Sequence, residues 1–181
     1  MDIVTRPVEP YEFEELGEIT AQAYLRDGLL DFGGSDAYLG RLRDVAGRAA
    51  AAEVLVAVEG TGVLAGAAEA GGAGRVLGGV TFVPRGGPMA DIAEPGEAAI
   101  RMLAVTRAAR RRGVGEALVR ARVDRARATE GCVRIVLSSR RTMRAAHRVC
   151  ERLGFVRSPG RDRKPLPHLD DITLLAYELT L

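Results

Sequence analysis

The stretch 110-RRRGVGEALV-119 places three arginines and two glycines directly before a predicted amphipathic helix. The run EAAIRMLAV at 97–105 predicts a strand ahead of it. A turn between a strand and a helix is a natural anion site, because the first helical turn carries unpaired N–H groups and the positive end of its dipole. Glycines let the backbone approach the anion. The residues themselves leave two interpretations open, a diphosphate site and a solvated basic loop.

Other nucleotide and nucleic-acid motifs fit the stretch poorly. A P-loop requires GxxxxGK[ST], and both the spacing and the lysine are missing. A dinucleotide fingerprint requires a third glycine, where this chain has Ala117 and Leu118. The formal net charge is +2 and aromatic residues make up 4% of the chain, so a nucleic-acid partner is not expected.

Composition is typical of one soluble globular domain. The 181 residues are 47% hydrophobic, enough for a single core, and we expect residues 1–181 to form one domain. No apolar run approaches the roughly 18 residues that cross a bilayer, and the amino terminus lacks a secretory pattern. Cys132 and Cys150 lack metal-ligand spacing. We therefore expect a cytoplasmic protein without a metal or a membrane partner.

The remaining pattern alternates strands and helices, which predicts an α/β fold with helices on both faces of one sheet. Strands are predicted at 3–6, 54–59, 76–83, 97–105, 133–139 and 172–180. Helices are predicted at about 10–25, 35–50, 114–128 and 142–153. Thr142 is the predicted cap of the last helix, and Gly154 its terminator. The Gly/Ala-rich run at 60–75 is predicted to connect two strands of a hairpin.

Two segments resemble the acyl-CoA-binding core of the GCN5-related N-acetyltransferases. That family has a strand, a short turn and then [RQ]-x-x-G-x-[GA], which here is Arg110, Gly113 and Gly115 within 100-IRMLAVTRAARRRGVGEALVRARVDRA-126. Downstream, 145-AAHRVCERLGF-155 is similar to the family's last core helix and its Leu-Gly-Phe exit. The predicted strand VRIVLSS lies between them, as in the family.

The resemblance, over about residues 97–157, implies a single-domain mixed sheet of about six to seven strands. It implies transfer of an acetyl group from acetyl-CoA to the primary amine of a small molecule or peptide, by direct attack. Homodimers are common in the family, so a homodimer is compatible with it. The implied cofactor-binding residues are Leu103, Ala104, Val105, Arg110, Arg111, Arg112, Gly113, Val114, Gly115, Glu116, Ser139 and Met143.

The resemblance also implies catalytic groups. Members often place a carboxylate at the start of the cofactor strand, which makes Glu97 the candidate base, with Asp91 and Glu94 behind it. The proton donor departs from the family, since Cys150 stands where a tyrosine is common. Alternatives for the donor are Ser138, Ser139 and Tyr177. Because of this departure, a CoA-binding module with weak or no catalysis is the alternative function.

The acceptor amine is expected near residues 25–40, 84–97 and 158–171, where family members bind it. Candidate contacts there are Phe32, Tyr38, Asp91, Asp170 and Asp171. The acidic ones would suit a cationic amine. His147 and His168 are isolated in the sequence, and we expect them to have packing or surface roles.

Overall fold

A computed structural model describes residues 2–30, 33–60, 74–164 and 173–181. Its centre is a seven-stranded sheet in the order β1-β2-β3-β4-β5-β7-β6. The strands are β1 (Ile3–Pro7), β2 (Glu53–Glu59), β3 (Val76–Val83), β4 (Glu97–Val105), β5 (Arg134–Arg140), β6 (Val156–Arg157) and β7 (Leu174–Thr180). Among the strands of these described ranges, β4 and β5 are the only pair that runs in parallel.

The helices are α1 (Phe13–Arg26), α2 (Tyr38–Arg43), α3 (Val45–Ala51), α4 (Val114–Arg127) and α5 (Arg144–Arg152). A short 3-10 turn at Pro10–Glu12 precedes α1. Another, at Arg107–Ala109, precedes the turn that contains Gly113 and Gly115. The predicted mixed α/β architecture is confirmed. None of the helices in these ranges is long and apolar enough to cross a membrane.

The apolar side chains divide between the two faces of the sheet. On one face, Leu118 of α4 and Cys150 of α5 join Phe82 and Ile100 in a buried cluster. On the opposite face, residues of α1 and α3 pack against β2 and β3. We call these the α4–α5 face and the α1–α3 face. Because elements cover both faces of the sheet, β3 is buried along its whole length. A strand covered on both faces has a nearly continuous apolar sequence, as β3 does.

A bulge in β4 opens the sheet at its centre. Gly79 of β3 lies opposite Ala104, whereas Thr81 lies opposite Arg101, so β4 contains one extra residue there. Met102, inside the bulge, has a left-handed φ of 52°. Pairing between β4 and β5 is confined to residues 97–99 and 134–136. Beyond that point, residues 100–105 of β4 have a backbone edge that β5 does not pair.

The structure corrects two helix predictions. The helix expected at 35–50 is two helices, because the chain breaks at Asp44, whose carboxylate accepts a 2.8 Å hydrogen bond from Gly47 N–H and caps α3. The predicted cap at Thr142 is wrong, since Met143 precedes α5 and makes no side-chain cap. Strand β6 was not predicted. Most of the predicted 60–75 connection, residues 61–73, lies outside the described residues.

Candidate functional site

The turn between β4 and α4 presents a set of unpaired backbone donors. Arg111 and Gly113 both have left-handed φ values, 62° and 84°, and Gly113 is the N-cap residue of α4. The carbonyl of Gly113 accepts from Ala117 N–H at 2.9 Å. The N–H groups of the first turn, at residues 114–116, therefore precede the helical ladder and have no helical carbonyl to bond. Turns of this geometry bind anions in proteins, and we call residues 110–116 the candidate anion site.

The two glycines of the turn meet different demands. At Gly113 a Cβ atom would find space, with Ile3 Cδ1 4.0 Å away, so the demand there is the positive φ. At Gly115 the φ is ordinary, and a Cβ atom would lie 3.7 Å from Val105 Cγ2. Gly113 is thus required for the shape of the turn, whereas Gly115 leaves the space next to Val105 of β4 free of a side chain.

Much of the positive charge around the turn is balanced within the protein. Arg110 donates two hydrogen bonds to the Asp27 carboxylate, at 2.9 and 2.8 Å. Arg112 lies 3.5 Å from Glu59. Glu116 accepts from Arg120 at 2.7 Å, and this bond is the largest influence that lowers the pKa of Glu116. The backbone N–H groups are consequently the most specific feature of this anion site.

A groove of about 300 Å³ adjoins the turn. It is bordered by one side of α1 from Glu15 to Arg26, by Val105 and Thr106 at the end of β4, and by Arg110. The buried hydroxyl of Thr106 has no hydrogen-bond partner. The groove thus joins the unpaired end of β4 to the start of the anion site.

Glu97 lies at the closed end of the opening, where β4 still pairs with β5. Its side chain accepts hydrogen bonds from Arg161 at 2.5 Å, from Arg134 at 2.9 Å and from Glu94 N–H at 2.9 Å. Burial alone would raise the pKa of Glu97, but the hydrogen bonds outweigh it and bring the pKa to about 2. Leu103 is six positions further along β4, roughly 20 Å along an extended strand.

Cys150 is 3% exposed within the cluster on the α4–α5 face, and burial raises the pKa of its thiol to about 12. One turn earlier on α5, the buried His147 ring has its Nε2 atom 2.7 Å from Ser139 Oγ. Burial is the main cause that lowers the pKa of His147, against smaller opposite effects of Glu151 and the Arg140 backbone. Ser139 and His147 thus form a hydrogen-bonded pair, with His147 one helical turn before Cys150.

Side-chain alternation along β5 separates the two serines. Ser139 turns towards α5, as its bond to His147 requires. Val136 packs with Ala99 in a different cluster, and Ser138 lies on the same side of the strand as Val136. The Ser138 hydroxyl is buried and has no hydrogen-bond partner. The two serines therefore face opposite sides of the opening.

Comparison with known proteins identifies the chain. The model of the acetyltransferase (GNAT) family matches residues 34–155. The chain belongs to this family. No curated protein matches it.

Solved GNAT structures have the same fold at low sequence identity. A GNAT acetyltransferase from Staphylococcus aureus Mu50 has a TM-score of 0.69 at 14% identity, with 99% of each chain covered. A phosphinothricin acetyltransferase from Sinorhizobium meliloti, in complex with acetyl-CoA, has a TM-score of 0.67 at 16% identity and covers 100% of this chain and 89% of its own. A putative acetyltransferase from Salmonella typhimurium, with acetyl-CoA, has 0.66 at 18%, covering 100% and 95%.

Within the GNAT fold, the candidate residues fall into three places. Leu103, Ala104 and Val105 lie on the part of β4 that β5 does not pair, and residues 110–116 form the turn that begins α4. Ser139 and Met143 lie across the opening, at the end of β5 and the start of α5. The Ser139–His147 pair was missed, because nothing local in the sequence connects a strand end to a helix eight residues on.

The acceptor candidates are described only in part. Phe32, His168, Asp170 and Asp171 lie outside the described residues. Tyr38 lies next to Tyr24, with ring centroids 6.3 Å apart. Asp91 is ion-paired with Arg163. Within the described ranges no group of three or more His, Cys, Asp or Glu residues is arranged to hold a metal ion.

Proposed function

We propose that the protein transfers an acetyl group from acetyl-CoA to a primary amine. The observation that carries the proposal is the turn at 110–116, whose N–H groups at 114–116 have no helical partner, directly after a strand edge that β5 does not pair. Two similar structures contain acetyl-CoA, which supports the same donor here. Acetyl-CoA supplies an activated thioester, and the protein supplies position and charge.

The proposed binding mode uses mostly backbone groups. The N–H groups at 113–116 bind the diphosphate, and Arg111 and Arg112 add positive potential around it. The free edge of residues 102–105 bonds the amides of the pantetheine arm, as an added strand would. The N–H of Leu103 is placed to polarise the thioester carbonyl. Side chains of Leu103 and Val105 meanwhile remain in the core.

Glu97 has a different role in this proposal from the one that the family resemblance suggests. A carboxylate with a pKa of about 2 accepts a proton poorly, and its oxygens are already bonded to Arg161 and Arg134. We assign Glu97 to joining β4, β5 and the 159–161 turn. The amine then reacts as its neutral fraction, which increases with pH.

For the leaving thiolate, the geometry supports Ser139 and His147 better than Cys150. A thiol with a pKa of about 12 keeps its proton beside a thiolate of ordinary pKa near 8.5. The imidazolium of His147 is a stronger acid than that thiol. Because burial lowers the pKa of His147, the resting ring is neutral near pH 7 and first takes up a proton from solvent, which balances the proton that the amine releases. The imidazolium then passes this proton to Ser139 as the Ser139 hydroxyl gives its own to sulfur, which restores the neutral imidazole.

Thermal unfolding with increasing acetyl-CoA tests the cofactor assignment, because a ligand of the native state raises its stability. We expect a concentration-dependent rise, together with release of CoA thiol when an amine substrate is added. The absence of any shift at millimolar acetyl-CoA would exclude the proposal.

The second candidate function is a CoA-binding module with little catalysis, which the buried, weakly acidic Cys150 favours. It predicts the thermal shift without thiol release from any amine, and recovery of release in Cys150→Tyr. Amine-dependent release by the unmodified protein would exclude this second candidate.

A further inference from the structure

Two arginines on the α1–α3 face have no acidic partner among the described residues. Arg48 is 3% exposed, donates to Thr81 Oγ1 at 3.0 Å and to the Leu42 carbonyl at 2.8 Å, and leaves its Nε buried without a partner. Asp44, the acid whose charge acts on Arg48, already caps α3. A buried cation without a counter-charge is costly, so its retention indicates a use.

Arg101 is the second of these arginines, and most of its hydrogen-bond donors are unused by the described residues. It lies opposite Thr81 in the β3–β4 ladder, and its one hydrogen bond among the described residues is a long one, 3.4 Å to the Met89 carbonyl. Most of its five N–H donors therefore remain available. By contrast, the nearby acids Asp91 and Glu97 are each paired with other arginines.

The groups around Arg101 are suited to a small polar ligand. Tyr24 and Tyr38 pack with Met102 in one cluster, next to Arg101 in the chain. Burial is the main cause that raises the pKa of Tyr24, and the charges of Arg101 and Arg48 act against it, so both arginines reach this ring electrostatically. Ser138, across the opening, adds its unpartnered hydroxyl on the same face of the sheet.

The distance to the reacting centre is short. Arg101 precedes the bulge and is two residues from Leu103, about 7 Å along the strand. An attacking amine must come within about 3–3.5 Å of the carbonyl carbon. An anionic group separated from the nitrogen by one or two bonded atoms then lies within reach of the Arg101 guanidinium.

We propose that the α1–α3 face binds an acceptor whose amine stands beside a carboxylate or a similar compact oxyanion, as in an α-amino acid, with Arg101 as the bidentate ligand of that anion. The proposal rests on the proposed acetyltransferase function. It replaces the cationic amine that the sequence suggested, because the candidate acid Asp91 is ion-paired with Arg163, whereas Arg101 and Arg48 have no acidic partner among the described residues. Arg48 supplies a fixed positive potential behind the ligand.

The test uses matched acceptors that share one side chain: each common amino acid, its carboxamide and its decarboxylated amine. With acetyl-CoA and thiol detection, we expect at least one free amino acid to have a KM at least about tenfold below that of its amide, since charge-assisted bidentate bonds are lost in the amide. Equal or better use of the amides or amines, with acetyl-CoA still binding, would overturn the proposal and leave the proposed function intact.

Arg101→Met is the decisive variant, with exposed Arg41→Met as its control. We expect KM for the amino acid to rise about 10–100-fold in Arg101→Met, with little change for the decarboxylated amine, a selectivity that a merely structural role would not produce. Arg101→Lys should recover only part of the loss. An equal loss for both acceptors would overturn the assignment.

If no acceptor is acetylated, a binding measurement tests the proposal. In the presence of saturating CoA, free amino acids should raise the melting temperature of the unmodified protein but not of Arg101→Met. Absence of this stabilisation for every amino acid would overturn the proposal. Failure of the proposed function itself is distinguishable, because acetyl-CoA alone would then give no stabilisation.

Discussion

Replacing Gly113 with valine should abolish acetyl-CoA binding while leaving the fold intact. Gly113 has φ 84° at the N-cap of α4, a conformation that costs a residue with a Cβ atom about 1–2 kcal/mol, and more when the side chain is β-branched. The turn can relieve this strain only by rotating its peptide units. Rotation turns the N–H groups of 113–116 away from the anion.

The loss in affinity follows from the number of donors affected. A hydrogen bond to a charged group contributes about 1.5–3 kcal/mol, so losing two costs about 3–6 kcal/mol, or about 10²–10⁴-fold in Kd. Isothermal calorimetry with acetyl-CoA measures Kd, and circular dichroism checks the fold. The matched control is Gly131→Val, because Gly131 has φ 75° with open space around it but lies between α4 and β5, away from the turn.

Arg112→Ala provides the opposite comparison. Its guanidinium is partly exposed and lies 3.5 Å from Glu59, so its loss should weaken binding by about fivefold or less. If Gly113→Val bound acetyl-CoA within threefold of the unmodified protein, or if Arg112→Ala were the more damaging change, the backbone account of the anion site would be refuted.

Three further outcomes are expected. Glu97→Gln should lower the free energy of unfolding by about 2–3 kcal/mol at pH 7, because the native pKa of about 2 lies below the ordinary value of 4.5. This stability is present above pH 4.5 and lost towards pH 2, so urea titrations should show the variant and the parent converging in acid. An equal difference at pH 2.5 and pH 7 would contradict the ion-pair role. Ser139→Ala and His147→Gln should each lower kcat at least tenfold, whereas Cys150→Ala should change it less than threefold in a thiol-release assay; the reverse ranking would restore Cys150 as the donor. Asp44→Ala should destabilise by about 1 kcal/mol and lower the melting temperature by a few degrees through loss of the α3 cap, and no change would mean that the cap is not stabilising.

The parts of the fold that sequence patterns predicted are those decided by neighbouring residues. Strand β3 was predicted with its observed bounds, Val76–Val83, because a valine-rich run ends at a Pro/Gly-rich loop. The turn before α4 was predicted for the same reason, since its glycines and the helix start are contiguous. The break at Asp44 was missed because aspartate is unfavourable inside a helix but does not prevent one from continuing. Only the packing of α2 and α3 makes Asp44 a cap instead of a residue within one long helix.

The catalytic and acceptor groups were harder to predict because they depend on distant partners. Glu97 acquires its low pKa from Arg161, 64 residues later in the chain. Ser139 and His147 meet only when α5 packs back on β5. The unbalanced charge of Arg101 is invisible in a sequence with 26 basic and 24 acidic residues, because only the fold reveals which of them are paired.

The backbone character of the donor site has a consequence for how such a protein diverges. Every residue except proline offers the same N–H and C=O groups, so a site built from a bulged strand edge and a helix start survives the replacement of most of its side chains. The positions that remain constrained are those that set main-chain shape, such as Gly113. Chains that are only 14% identical share this fold, and we expect the face around Arg101 to vary with the acceptor.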